Sequence, residues 1–108
     1  MGSTDGLGSF EHLVLLAVMQ LEQDARALDI RAHLEAKAER SVSRGALYAT
    51  LERLESKGLL SWRTEEATPA RGGIPRRVFE VTPSGLDAVR RSLRVLERLS
   101  RGLEGALG

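Results

Sequence analysis

The chain has 108 residues, enough for one domain whose folding covers roughly 60–70% of the surface that the unfolded chain exposes. It contains no cysteine, which excludes disulfides and thiolate chemistry, and its 42% hydrophobic and 29% charged residues are ordinary for a soluble domain. The net charge of +1 conceals an asymmetry. Residues 40–77 carry eight basic and four acidic side chains and the remainder eight and eleven, so a polyanion is drawn to the middle of the chain.

The opening residues, "MGSTDGLGSF", lack a basic region followed by an apolar run, so they do not read as a signal peptide, and residues 1–8 are expected to be a flexible N-terminus. A first helix is predicted from Phe10 to Leu21, capped by Ser9, with Glu11 in its first turn. Phe10, Leu13, Val14, Ala17 and Leu21 follow helical spacing, and Leu15, Leu16, Val18 and Met19 make the helix apolar nearly all round. Such a helix is buried on more than one side. In so short a chain the second side is expected to meet another subunit, through Phe10, Val14, Leu15 and Val18. The apolar run "LVLLAVM" (13–19) is far short of the ~20 residues of a membrane span, so a cytoplasmic protein without a membrane partner is expected.

"EQDARALD" (22–29) breaks the pattern, and a second helix follows from about Leu28 to Glu39 with Ile30, Leu34 and Ala38 on one stripe. Ser43 then caps a third helix, "SRGALYATLERLESKGLL" (43–60), whose buried stripe is Leu47, Leu51 and Leu54 and whose end is marked by Gly58. Away from that stripe lie Gly45, Tyr48 and Ala49, with Arg44 and Arg53 nearby. Small residues on an exposed helix face forgo contacts, and Gly45 also lowers helix propensity. What they permit is close approach of another surface. A Ser-capped N-terminus, a small face, arginines and a tyrosine hydroxyl suit a helix that enters a DNA major groove. Taken alone, the same residues also describe a half-buried flank and a solvated charge.

The period then changes. "LLSWRTE" (59–65), with Leu60 and Trp62 on one face, and "RRVFEVT" (76–82) predict a two-stranded hairpin around "EATPARGGIP" (66–75). Its basic tip offers Arg71, Gly72, Gly73 and Arg76 to a sugar-phosphate backbone. The final element opens at Thr82 and Pro83, natural N-cap and N1 residues. Its leucine seam runs through Leu86, Val89, Leu93, Leu96, Leu103 and Leu107, with arginines on the solvent side. An exposed seam of that length is an unusual patch for a monomer, which favours a two-fold dimer. The expected fold class is mainly α with a small β-hairpin: a winged helix-turn-helix over residues 9–82 and a dimerisation helix over 83–108.

The residues "LGSFEHLVLLAV" (7–18), "SRGALYATLERLESKGLL" (43–60), "PARGGIPRR" (69–77) and "VTPSG" (81–85) resemble the PadR family of bacterial transcriptional regulators, in its short subgroup with one C-terminal helix. The resemblance covers nearly the whole chain. It implies a homodimeric repressor, dimerised through the first and last helices, that reads a palindromic operator in double-stranded DNA with its third helix, Ser43 and Tyr48 among the contacts. The DNA-binding set expected is Ser41, Ser43, Arg44, Gly45, Tyr48, Arg53, Arg71, Gly72, Gly73 and Arg76. The dimer set is Phe10, Val14, Leu15, Val18, Leu86, Val89, Leu93, Leu96 and Leu103. It further implies release by a small hydrophobic effector or a stress signal, with Phe10 the better ligand candidate and Trp62 a packing residue. This chain departs from the family's pattern at Arg26-Ala27, where relatives often carry Tyr-Gly, at Ala49, where proline is common, and at Val78-Phe79, where paired tyrosines are usual.

Enzyme chemistry finds no support. His12 and His33 stand 21 positions apart with no cysteine, so no metal spacing is present, no cofactor is implied, and Gly72-Gly73 is not a phosphate loop between strand and helix. The rival reading is a winged helix that binds protein instead of DNA. A sensor that has lost DNA binding is a third.

Overall fold

The computed structural model describes residues 7–65 and 75–108. Along the chain lie α1 (Ser9–Leu21), a single 3-10 turn (Glu22–Asp24), α2 (Ala27–Lys37), α3 (Arg44–Ser56), β1 (Leu60–Glu65), β2 (Arg76–Val81), α4 (Pro83–Ser100) and a last short helix, α5 (Glu104–Leu107). The two strands pair antiparallel from Leu60 opposite Val81 to Glu65 opposite Arg76. Three helices, a hairpin and a long closing helix, in this order, make a winged helix-turn-helix.

α1 is the axis of the domain. It packs on α2, α3, β2 and α4, which together cover most of its circumference. This explains why it is apolar on nearly every side, and it corrects the expected role of that second side. Val14, Leu15 and Val18 are buried in the chain's own core, as is Val89 of α4, so none of the four is left on the surface for a second subunit. Met19 is the exposed apolar residue of α1. The cap is also one residue earlier than expected. Gly8 is the N-cap, and its N–H donates to the Glu11 carboxylate at 2.9 Å, so Gly8 and Leu7, which packs against the core, are not part of a loose leader. The rest of the expected flexible segment lies outside the described residues.

The turn between α2 and α3 is fixed by side chains of α2. Arg31 donates to the Val42 carbonyl at 2.7 Å, the Val42 N–H donates to Glu35 at 3.1 Å, and the Val42 side chain is buried. α2 stops at Lys37, shorter than predicted, and Glu39 takes a positive φ of 54°. Buried backbone groups must find partners, and the stretch before α2 meets this need with the sheet: the Phe79 N–H donates to the Ala25 carbonyl at 2.8 Å. Val78 and Phe79 are both buried, whereas on β1 only Leu60 is; Trp62 shares its face but remains 39% exposed.

α4 starts against the end of α3. Thr82 Oγ1 donates to the Gly58 carbonyl at 2.7 Å and accepts from the Gly85 N–H at 3.0 Å, while Gly58 itself holds a φ of 75°. A Cβ on Gly85 would run into the Leu59 carbonyl, so the glycine of "TPSG" is dictated by this close approach. Gly85, Ala88 and Val89 are buried, and Ser92 Oγ shares a hydrogen bond with His12 Nδ1 at 3.2 Å. From Leu93 onward every residue is exposed. The helix is not continuous to residue 108. It ends at Ser100, Gly102 takes a φ of 88°, and Leu103 and Leu107 leave the straight seam predicted for them.

Candidate nucleic-acid interface

α3 begins at the Ser43 cap, whose Oγ accepts from the Ala46 N–H at 3.1 Å. Leu47, Thr50, Leu51 and Leu54 turn inward, and this fixes what turns outward. Ser41, Ser43, Arg44, Gly45 and Ala49 are exposed, and Tyr48 is 49% exposed. A Cβ placed on Gly45 would meet nothing within 4 Å. Among the described residues the glycine therefore serves no contact, unlike Gly85.

Arg53 is the member of the expected set that the structure sets apart. Its Nε donates to Glu11 at 3.3 Å and its Nη2 to Thr50 Oγ1 at 3.1 Å, so its charge is engaged within the fold. Lys57 joins it, with Nζ 2.9 Å from both oxygens of the same carboxylate. Glu11 is only 5% exposed. Burial alone would push its acidity down, but the Gly8 N–H, Lys57 and Arg53 more than offset that, and its pKa lies below the ordinary glutamate value. This carboxylate, which ties α1 to α3, is the chief site residue that sequence reasoning missed. The signal was present in the spacing of Gly8 and Glu11, half of a capping box, but nothing in the sequence points from Glu11 to Lys57.

On the wing side, Arg76 opens β2, exposed and in register with Glu65. Arg71, Gly72 and Gly73 lie outside the described residues. Arg77, not anticipated, sets its guanidinium 4.1 Å from the Trp62 ring centroid, a cation–π contact on the hairpin. The hairpin is braced by Arg26, at the position where the family resemblance leads one to expect tyrosine. Its Nε and Nη2 make a bidentate pair with Glu65 at 2.8 and 2.6 Å, and its Nη1 reaches Asp29 at 3.2 Å. These carboxylates, Glu65 foremost, raise its pKa and hold it charged. An arginine fork can match a carboxylate in this way and a tyrosine cannot.

Between α3, the start of α2 and β2 lies a cleft of about 410 Å³. Leu51 and Phe79, both buried, line it with Tyr48 and the exposed Leu28, and Glu52 and Glu55 of α3 line it too. Phe10 is half-buried under the Arg40 guanidinium, 5.0 Å from its ring centroid. Among the described residues no group of three or more His, Cys, Asp or Glu is placed to hold a metal ion, and no helix is long and apolar enough to cross a membrane.

A capped helix with a bare outer face, set beside a braced hairpin, defines a winged helix-turn-helix of the regulator type. Residues 15–91 match the PadR-like family of transcriptional regulators, and the chain belongs to that family. It is 42% identical over 64 residues to the transcriptional regulator Rv3488 of Mycobacterium tuberculosis (strain ATCC 25618 / H37Rv); the match takes in 59% of this chain and 56% of that relative. Among solved structures, a PadR family transcriptional regulator from Eggerthella lenta DSM 2243 superposes with a TM-score of 0.66 at 28% identity, covering 88% of this chain and 80% of the other. Bacillus subtilis PadR, solved in complex with operator DNA, shares the fold with a TM-score of 0.64 at 16% identity, over 80% of this chain and 48% of that one.

Proposed function

We propose that this protein is a cytoplasmic, homodimeric, sequence-specific DNA-binding regulator, a repressor whose two α3 helices enter successive major grooves of a palindromic operator and which a small hydrophobic effector or a stress signal releases. The observation that carries the reading is the outer face of α3. Gly45, Tyr48 and Ala49 are open to solvent, no contact among the described residues accounts for the glycine, and the face lies next to a hairpin bearing Arg76 and Arg77. Ser41, Ser43 and Arg44 sit at the helix start, where N–H groups and hydroxyls hold phosphates. Family membership and the operator complex of the B. subtilis relative support the same reading.

Dimerisation is supported by the naked second half of α4. Leu93, Val95, Leu96 and Leu99 are exposed there, the last at 72%, with Leu86 and Met19 continuing the patch toward the core. A two-fold axis through this patch would also set two α3 helices about one DNA turn apart.

The test is binding to duplexes chosen by selection from random sequence. Log affinity should fall with log salt at a slope of about −0.9 per phosphate neutralised. Tyr48→Ala should weaken binding about tenfold, as one lost hydrogen-bonding and packing contact does, and leave the folded stability within about 0.5 kcal/mol. Binding that ignores both salt and Tyr48 would favour the protein-binding alternative.

A further inference from the structure

We propose that Arg26 is a positioning residue for DNA binding: without touching the nucleic acid it fixes the wing relative to α3, so that the arginines of β2 meet the sugar-phosphate backbone while α3 lies in its groove. This role rests on the reading of α3 given above. The hairpin is anchored at one end. Leu60, Val78 and Phe79 are buried near its base, whereas residues 61–64 of β1 and Arg76 and Arg77 of β2 are exposed. A two-stranded hairpin without a packed face is marginal on its own. Among the described residues, one side-chain pairing ties this outer half to the rest of the domain, the Arg26 fork on Glu65 at 2.8 and 2.6 Å.

The other end of the fork is held as well. Arg26 is the N-cap residue of α2, and its Nη1 reaches Asp29 of the first turn at 3.2 Å and Asp24 at 3.4 Å. α2 is joined to the start of α3 by Arg31 and Glu35, through the backbone of Val42. Wing, α2 and α3 are thus linked in series, and the Arg26–Glu65 pair is the link that takes in the wing. The cations it positions are uncommitted. Arg76 and Arg77 make no hydrogen bond or ion pair of their side chains with a described residue, and Arg77 rests on the Trp62 ring. A guanidinium held by its flat face keeps the N–H groups at its edge for a phosphate.

Charge alone predicts opposite effects for the two partners. If Arg26 and Glu65 acted only through the field that DNA meets, neutralising the arginine would weaken binding and neutralising the glutamate would strengthen it. Acting as one brace, both changes weaken it.

The test is the affinity of the full chain for a selected duplex, over a salt series, in Arg26→Gln, Glu65→Gln and the double variant. Each single change should weaken binding about fivefold, and the double variant should lose no more than either single. The salt slope should become shallower by about 0.9 for each wing phosphate no longer neutralised, whereas Tyr48→Ala, which removes no charge, should keep the native slope. Without DNA, amide exchange in β1 and β2 should quicken about fivefold in either single variant while α1 and α3 exchange at the native rate. A Glu65→Gln protein that binds as tightly as the native chain, or more tightly, would overturn the proposal. So would single losses that multiply in the double variant, hairpin exchange at the native rate, or an equal quickening in α3. If the native chain binds no duplex, the reading of α3 falls instead, and the exchange comparison still decides whether Arg26 holds the wing.

Discussion

α1 and α4 are both rich in leucine and valine, yet the structure uses them differently. In α1 the aliphatic side chains point in nearly every direction, and α2, α3, β2 and α4 of the same chain surround them. In α4 the apolar residues keep to one side and Arg90, Arg91, Arg94 and Arg98 to the other, and beyond Ser92 no described residue covers the apolar side. Apolar surface on all sides marks the helix that a domain folds around; apolar surface on one side of a helix that outruns its own domain is the surface on which the proposed second copy would pack. The polar residues follow the same division. Glu11 of α1 is sunk into ion pairs with α3, whereas the charges of α4 pair only along the surface, as Arg90 does with Asp87 at 2.7 Å.

The contrast can be broken by substitution. Leu15→Ala, at the centre of α1, should cost about 3 kcal/mol through lost burial and an unfilled cavity, read as a lower midpoint in chemical denaturation. Glu11→Gln should cost less, about 1–2 kcal/mol, since Arg53 and Lys57 are partly exposed and recover water contacts. Its pH dependence sharpens the point. The folded pKa is depressed, so the carboxylate's contribution is complete above the unfolded value, near 4.5, and is lost as pH falls through the lower folded value. Stability curves of the native chain and the Gln variant should therefore stand fully apart above about pH 4.5 and converge as pH falls through the lower folded value. Leu96→Glu, on the bare half of α4, should change the stability of a single chain by less than about 0.5 kcal/mol while abolishing self-association in sedimentation equilibrium. If Leu96→Glu instead unfolds the chain, α4 is a core helix and the comparison fails.

The sequence made most of the architecture legible because caps and periods are local. Ser43, Gly58, Thr82 and Pro83 each mark an element boundary by their own backbone chemistry, and the structure keeps all four in those roles. Gly85 could be quoted in "TPSG" but not explained, since its reason is the Leu59 carbonyl, which only the folded chain brings near. Periodicity likewise cannot say whose surface buries a leucine. Val14, Leu15 and Val18 carry the same pattern whether the cover is α2 or a second subunit, and here the chain covers its own. The continuous seam to Leu107 failed for a local reason: Gly102, in a left-handed conformation, separates α4 from α5. The long-range ion pairs, Glu11 with Lys57 and Arg26 with Glu65, join residues 46 and 39 positions apart and had no sequence signal at all.

The account turns on the bareness of α3, and Gly45→Leu tests it most directly. A Cβ at this position meets no described residue within 4 Å, and leucine is the better helix former by up to about 1 kcal/mol, so the folded state should be unchanged or more stable. Against a selected duplex the same variant should bind at least about tenfold more weakly, because the helix can no longer lie close to the groove floor. A Gly45→Leu protein that is well folded and binds duplex DNA as tightly as the native chain would contradict the assignment of this face.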